Sequence, residues 1–269
     1  MHAPASAARP PDARADHRRG RMEDRKMEWT VPHVDDFALT GHGDAAAWRT
    51  APWRPLTRVG DGPATYATRA RMLWSDTGLY VLVDAEDQRI SCTLTTDFAD
   101  LFREDVVELF LHPHEAQSAY IELEISPLGV ELPLLVTNHG GSFHGWLPWH
   151  YEGDRRIRKA TSARGGPLAP GASVTGWTVE AFVPFALLRG LGNTPPESGT
   201  RWRANLYRID TDEDPASQWA WCAETGSNFH DFKKFGTVIF ADCPDAPALR
   251  AVRPRFRRRG DPRRRGARG

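Results

Sequence analysis

From Tyr66 to Ala241 the chain is a succession of short runs in which apolar and polar residues roughly alternate, and no long stretch repeats its apolar residues at helical spacing. The runs are YATRARMLW (66–74), LYVLVDAED (79–87), DVVELFLH (105–112), AYIELEIS (119–126), VELPLLV (130–136), RRIRKAT (155–161), GWTVEAFVP (176–184), TRWRANLYRID (200–210) and GTVIFA (236–241). Alternation rich in β-branched and aromatic residues marks strands with one buried face. SDTG (75–78), SPLG (126–129), NHGG (138–141) and PPESG (195–199) punctuate them as turns. Only PFALLRGLG (184–192) reads as a helix, and it is short. The pattern predicts an all-β fold, an antiparallel, jelly-roll-like β-sandwich with one short helix.

Both ends differ from this body. Residues 1–27 hold seven Arg/Lys against four Asp/Glu, and residues 250–269 hold ten Arg against one Asp. Residues 28–249 therefore keep 18 basic and 30 acidic groups, although the formal net charge of the whole chain is zero. The Pro-, Ala- and Arg-rich composition of residues 1–27 and 243–269 predicts disorder, leaving one domain over 28–242. The Arg run is the one feature that could bind nucleic acid, and no nucleic-acid-binding motif accompanies it. No secretory leader and no membrane span is read, which makes the cytoplasm the expected compartment, with Met22 and Met27 as alternative starts. Three widely spaced cysteines, Cys92, Cys222 and Cys243, give neither a metal knuckle nor a disulfide framework.

The unusual feature is a pair of strands carrying carboxylates. LFREDVVELFLHP (101–113) contains Glu108, and AYIELEISPLG (119–129) contains Glu122 and Glu124, two apart and on one face. These and Glu180 could form a catalytic carboxylate pair, a polar binding face, an ion site, or a solvated outer face. No serine-hydrolase elbow, zinc-protease helix or phosphate-binding loop is present. His112 and His114 end a strand without a third ligand nearby. The acidic run DTDED (210–214) could offer oxygens to calcium but lacks the glycine and closing glutamate of an EF-hand.

Six segments resemble family 9 carbohydrate-binding modules, and they do so in order: RMLWSDTGLYVLVDAEDQRI (71–90), LFREDVVELFLHP (101–113), YIELEISPLG (120–129), GWTVEAFVPFALL (176–188), GTRWRANLYRID (199–210) and FHDFKKFGTVIF (229–240). The resemblance covers roughly residues 30–241. It implies a β-sandwich, a carbohydrate ligand held without catalysis, and calcium as a possible bound ion. It places Phe102 and Phe229 at the two walls of an aromatic clamp, with Glu108 hydrogen-bonding the sugar. His230 adjoins the second wall. Relatives carry Trp at both walls and a basic residue on the strand that here holds Glu122 and Glu124. With the walls reduced to Phe, Trp146, Trp149, Trp219 and Trp221 are candidate replacement platforms. Two rival readings are a b-type haem sandwich using Met72, which alternates as a core residue, and a degenerate sandwich serving as an interaction module.

Overall fold

The computed structural model describes residues 27–62 and 66–242. The expectations for residues 1–26 and 243–269, with Cys243, lie outside the described residues. Among the latter, Cys92 and Cys222 are buried free thiols.

Fourteen strands form among the described residues: β1 (Glu28–Pro32), β2 (Arg54–Pro55), β3 (Thr57–Arg58), β4 (Thr68–Trp74), β5 (Gly78–Ala85), β6 (Val106–His112), β7 (Ala119–Ile125), β8 (Glu131–His139), β9 (Ser142–Pro148), β10 (Arg158–Arg164), β11 (Gly176–Pro184), β12 (Arg201–Asp210), β13 (Ser217–Ala220) and β14 (Gly236–Ala241). The larger sheet runs β1-β14-β12-β6-β7-β8-β9, with β13 bridging β12 to β3; the smaller runs β10-β11-β5-β4-β2. All pairings are antiparallel except β1 with β14. The predicted antiparallel sandwich is what forms, with that one parallel edge.

Alternation divides the residues of each strand between two faces. Val107, Leu109 and Leu111 of β6, Ile121, Leu123 and Ile125 of β7, and Val81, Val83, Val179 and Ala181 of the smaller sheet meet in one core between the sheets. Met72 belongs to that core and is fully buried. The void there is about 10 Å3, room for about one water. A porphyrin does not fit, so the haem reading fails on packing.

The expected helix at 184–192 is a four-residue 3-10 turn, Phe185–Leu188. Phe185, Leu187 and Leu188 pack into the inter-sheet core. Gly190 follows at φ 103°, in the left-handed region, and stops propagation. NHGG is a two-residue hairpin turn. His139 pairs with Ser142, and Gly140 and Gly141 take φ of 62° and 97°, the positive values such a turn requires.

Glu180 proves to be a structural anchor. Its carboxylate accepts the Thr40 N–H, the Gly41 N–H and the Trp48 Nε1–H, each at 2.6 Å. Those bonds hold the segment before β2 against the outer face of the smaller sheet, where Trp48, Tyr80 and Phe182 form a separate apolar cluster. No helix among the described residues is long and apolar enough to cross a membrane.

Candidate functional site

The outer face of the larger sheet carries the carboxylates. Alternation puts Glu108 and Phe110 of β6 on that face, with Tyr120, Glu122 and Glu124 of β7. Register brings them together: Glu108 stands opposite Glu124, and Phe110 opposite Glu122. On the other side of β6, Tyr207 of β12 pairs with Glu108. One oxygen from each of the three glutamates falls within 4.8 Å of the others. All three are buried, Glu124 completely. No described donor makes a hydrogen bond to Glu122 Oε2 or to either oxygen of Glu124. The Phe102 N–H lies on Glu124's side but falls short of hydrogen-bond geometry.

Buried carboxyls without donors resist ionisation. Burial, reinforced by the charges of Glu108 and Glu122, pushes Glu124 up to about 11. Burial pushes Glu122 up to about 8. Burial and the neighbouring Glu122 hold Glu108 well above the usual carboxylate range.

Aromatic rings form the walls. Phe229, from the segment between β13 and β14, lies flat on Tyr207 at 3.9 Å and 10°, and the Tyr207 hydroxyl donates to its carbonyl at 3.1 Å. His230 stacks on Phe143 at 4.2 Å and 18°. Its Nδ1 is 2.8 Å from the Tyr120 hydroxyl, and burial lowers it to about 4, which keeps the imidazole neutral at pH 7. Phe102 stands half-buried on the 3-10 turn Leu101–Arg103. Two carboxylates fasten that turn. Glu104 accepts the N–H groups of Thr93 and Leu94 at 2.7 and 3.0 Å, and Asp105 accepts those of Ser91 and Thr211 at 2.6 and 2.9 Å.

Together these residues enclose a cleft of about 320 Å3, rimmed by Gln218, Ser227 and Asn228 and closed on one side by Trp146 of β9. Phe102, Glu108, Glu122, Glu124, Trp146, Phe229 and His230 thus line one cavity. Trp149 and Trp219 lie outside it. Trp149 donates its Nε1–H to the Leu187 carbonyl at 3.3 Å. Trp219 is buried with its ring 4.9 Å from the Arg208 guanidinium, and Trp221 packs edge-on against Trp29 at 5.1 Å. Two-residue spacing correctly puts Trp219 and Trp221 on one face, but that face is the inner one. Phe143 is a lining residue that sequence reasoning missed, though the Gly-Gly hairpin, which pairs it with Asn138, carried the signal. His112 and His114 do not converge: His112 is buried with Nε2 3.0 Å from the Gln117 carbonyl, and His114 is exposed.

A second carboxylate group, Asp87, Asp210 and Asp212, gathers at one end of the core. It is organised around buried Arg208, whose Nη2 lies 3.0 Å from Asp87 Oδ2 and 2.5 Å from Asp210 Oδ2. Trp177 Nε1 donates to Asp87 at 2.7 Å, the Asp212 N–H to Asp210 at 3.1 Å, and Ser91 Oγ to Asp212 at 2.7 Å. The oxygens a calcium ion would need are engaged by donors, and one positive charge is already in place. This cluster does not fit calcium.

Residues 39–132 match the family described as carbohydrate family 9 binding domain-like. Over that segment, about a third of the chain, the sequence resembles a family 9-like carbohydrate-binding domain. Two curated relatives are similar at low identity. The exoglucanase XynX of Acetivibrio thermocellus is 23% identical over 185 residues, which is 68% of this chain and 14% of the relative. The endo-1,4-beta-xylanase A of Thermoanaerobacterium saccharolyticum is 22% identical over 184 residues, 68% of this chain and 13% of the relative. The match thus spans about one seventh of those proteins' length. Among solved structures, a candidate carbohydrate-binding protein of Bacteroides uniformis superimposes with a TM-score of 0.65 at 16% identity, covering 79% of this chain and 98% of that one. A family 9 module of Caldicellulosiruptor kristjanssonii in complex with cellotriose gives 0.57 at 18% identity, covering 84% and 98%. The same organism's module with glucose gives 0.57 at 16%, covering 82% and 99%. These structures share the fold of the family 9-like domain. The matched segment holds Phe102, Glu108, Glu122 and Glu124, while Phe229 and His230 lie beyond it.

Proposed function

We propose that the cleft binds a carbohydrate and performs no chemistry on it. The carrying observation is the meeting of aromatic rings with carboxyls in one cavity of a family 9-like domain. A sugar presents an apolar C–H face and a polar hydroxyl edge, and Phe102 and Phe229 suit the first as the glutamates suit the second. Glycoside hydrolysis needs two carboxyls flanking the scissile bond. Here Glu108, Glu122 and Glu124 stand side by side on one sheet face. The curated relatives are polysaccharide-degrading enzymes by name, and a part in carbohydrate catabolism is proposed with this reading.

Removing the Phe102 ring tests the clamp. Phe102→Ala removes a stacking surface at the mouth of the cleft and weakens glycan binding by about 1–2 kcal/mol, close to tenfold in Kd. The thermal melt stays within a few degrees of wild type. Titration calorimetry with a glycan series, read beside the melt, checks both. Unchanged affinity removes Phe102 from the site, and a melt lowered by about 3 kcal/mol or more makes it a core residue.

Calcium, the ion implied by the resemblance, is not assigned to Arg208's cluster. A chelator is therefore expected to leave the melting temperature unchanged, because only a ligand bound to the folded state stabilises it. A fall of several degrees, reversed by added calcium, would restore the ion to the account.

A further inference from the structure

The floor of the cleft can meet sugar hydroxyls while its carboxyls hold protons, but once ionised it is matched to a cation. A hydroxyl has one donor and two acceptor lone pairs, so it is best met by a mixture of donors and acceptors. Ionised, this floor offers acceptors alone: Glu122 Oε2 and both oxygens of Glu124 have no described hydrogen-bond partner, and the donors of Gln218, Ser227 and Asn228 stand at the rim. None of the residues lining the cleft is Lys or Arg, and the exposed Arg103 stands beside it with its guanidinium 5.5 Å from the Phe102 ring. A primary ammonium has three N–H donors, one positive charge and no acceptor. Aromatic faces also attract a cation, the more so where water is excluded.

We propose that the carbohydrate held here carries a free primary amine, an amino sugar whose ammonium sits against Glu108, Glu122 and Glu124 between the rings of Phe102 and Phe229. This rests on the carbohydrate reading above and names the class of sugar. A bare divalent cation fits less well. Calcium takes six to eight oxygens, and beyond the three carboxyls the cleft offers only the side-chain oxygens of its rim, Gln218, Ser227 and Asn228, set among the rings of Phe102, Phe110 and Phe229. A cavity of about 320 Å3 also has room for a ligand larger than an ion.

Proton linkage follows. In the empty cleft, burial keeps the carboxyls protonated, and an arriving ammonium drives protons off them. The other titratable groups facing the cleft stay fixed between pH 6 and 8: His230 is neutral there, and burial raises Tyr120 and Tyr207. Amino-sugar affinity therefore rises with pH while the amine itself remains protonated.

Three β-1,4-linked trimers that differ only at C2 test the proposal: the glucosamine trimer, cellotriose and the N-acetylglucosamine trimer. The full chain is titrated calorimetrically with each, with and without chelator. The glucosamine trimer is expected to bind at least tenfold more tightly than the other two and to tighten from pH 6 to 7. Glu124→Gln is expected to bring the ratio of affinities toward one, with folding checked by its melt. Equal or tighter binding of the neutral trimers overturns the amino-sugar inference and leaves carbohydrate binding standing. So does a preference that survives in both Glu124→Gln and Glu122→Gln, or one that vanishes with chelator and returns with calcium. Failure of all three trimers and of a wider glycan panel overturns the carbohydrate reading itself.

Discussion

Replacing Arg208 by Met lowers the stability of the domain by about 3–5 kcal/mol, the usual cost of leaving buried charges without their partner. At about 2–4 °C per kcal/mol for a domain of this size, the melting temperature drops by roughly 10 °C. Arg208 and both its partners are fully buried, and its guanidinium also donates to Thr68 Oγ1 and the Glu86 carbonyl at 2.9 and 2.7 Å. Burial raises Asp210 to about 7 even with the arginine beside it, and raises Asp87 as well. With Arg208 gone, both carboxyls can escape their charge only by binding protons. The deficit is therefore larger at pH 8 than at pH 5, where protonation relieves it. Denaturant unfolding at the two pH values measures this, and adding Asp87→Asn and Asp210→Asn to Arg208→Met recovers part of the loss. A deficit below about 1 kcal/mol at both pH values would show that Arg208 is not what holds the cluster together.

The second large effect comes from the floor of the cleft. Glu124 and Glu122 titrate near 11 and 8 in the folded chain, against an ordinary value of 4.5. Above pH 4.5 the folded chain keeps protons that the unfolded chain has released. Stability then falls as pH rises, by up to about 1.4 kcal/mol per pH unit for each such group. The window from pH 6.5 to 8 holds much of the effect, and Asp210, raised to about 7, adds a slope of the same sign that is shared by wild type and Glu124→Gln. Below it, His230, depressed to about 4, contributes an opposite slope; above it, the thiols of Cys92 and Cys222, both raised to about 12, begin to count. Across this window wild type loses on the order of 2 kcal/mol or more. Glu124→Gln, which keeps the shape and cannot ionise, loses less and is the more stable protein at pH 8. Urea midpoints across the window check this, and a flat wild-type profile would contradict the burial of the carboxyls. If the proposed site holds, its carboxyl floor is a place where the fold gives up stability for recognition.

The strands that sandwich the core were legible because each buries one face. β11 and β14 begin and end where alternation puts them, at 176–184 and 236–241. β9 was not legible. SFHGWLP is almost wholly exposed on both faces, so no alternation marks it, and only its pairing with β8 makes it a strand. β1 is short and depends on β14, some 200 residues away in sequence. At the site, spacing alone put Glu122 and Glu124 on one face but could not tell a wet face from a covered one. The cover comes from Phe229 and His230 at one side and the β8–β9 hairpin at the other, contacts between segments far apart in the chain. Phe102 and Phe229 came from the family resemblance. Trp219 was misplaced because periodicity says which residues share a face, not which way that face looks.

The placement of the three glutamates also bears on how the chain finds its pairing. Val107 and Leu109 flank Glu108, and Ile121 and Ile125 flank Glu122 and Glu124. A slip of one residue between β6 and its neighbours would exchange the faces. It would drive a carboxyl into the aliphatic layer between the sheets, where Val81, Val83 and Val179 offer it no partner. The residues that lower the stability of the correct sheet thereby penalise the wrong one more heavily, so the carboxyl floor of the cleft doubles as the proofreader of strand alignment.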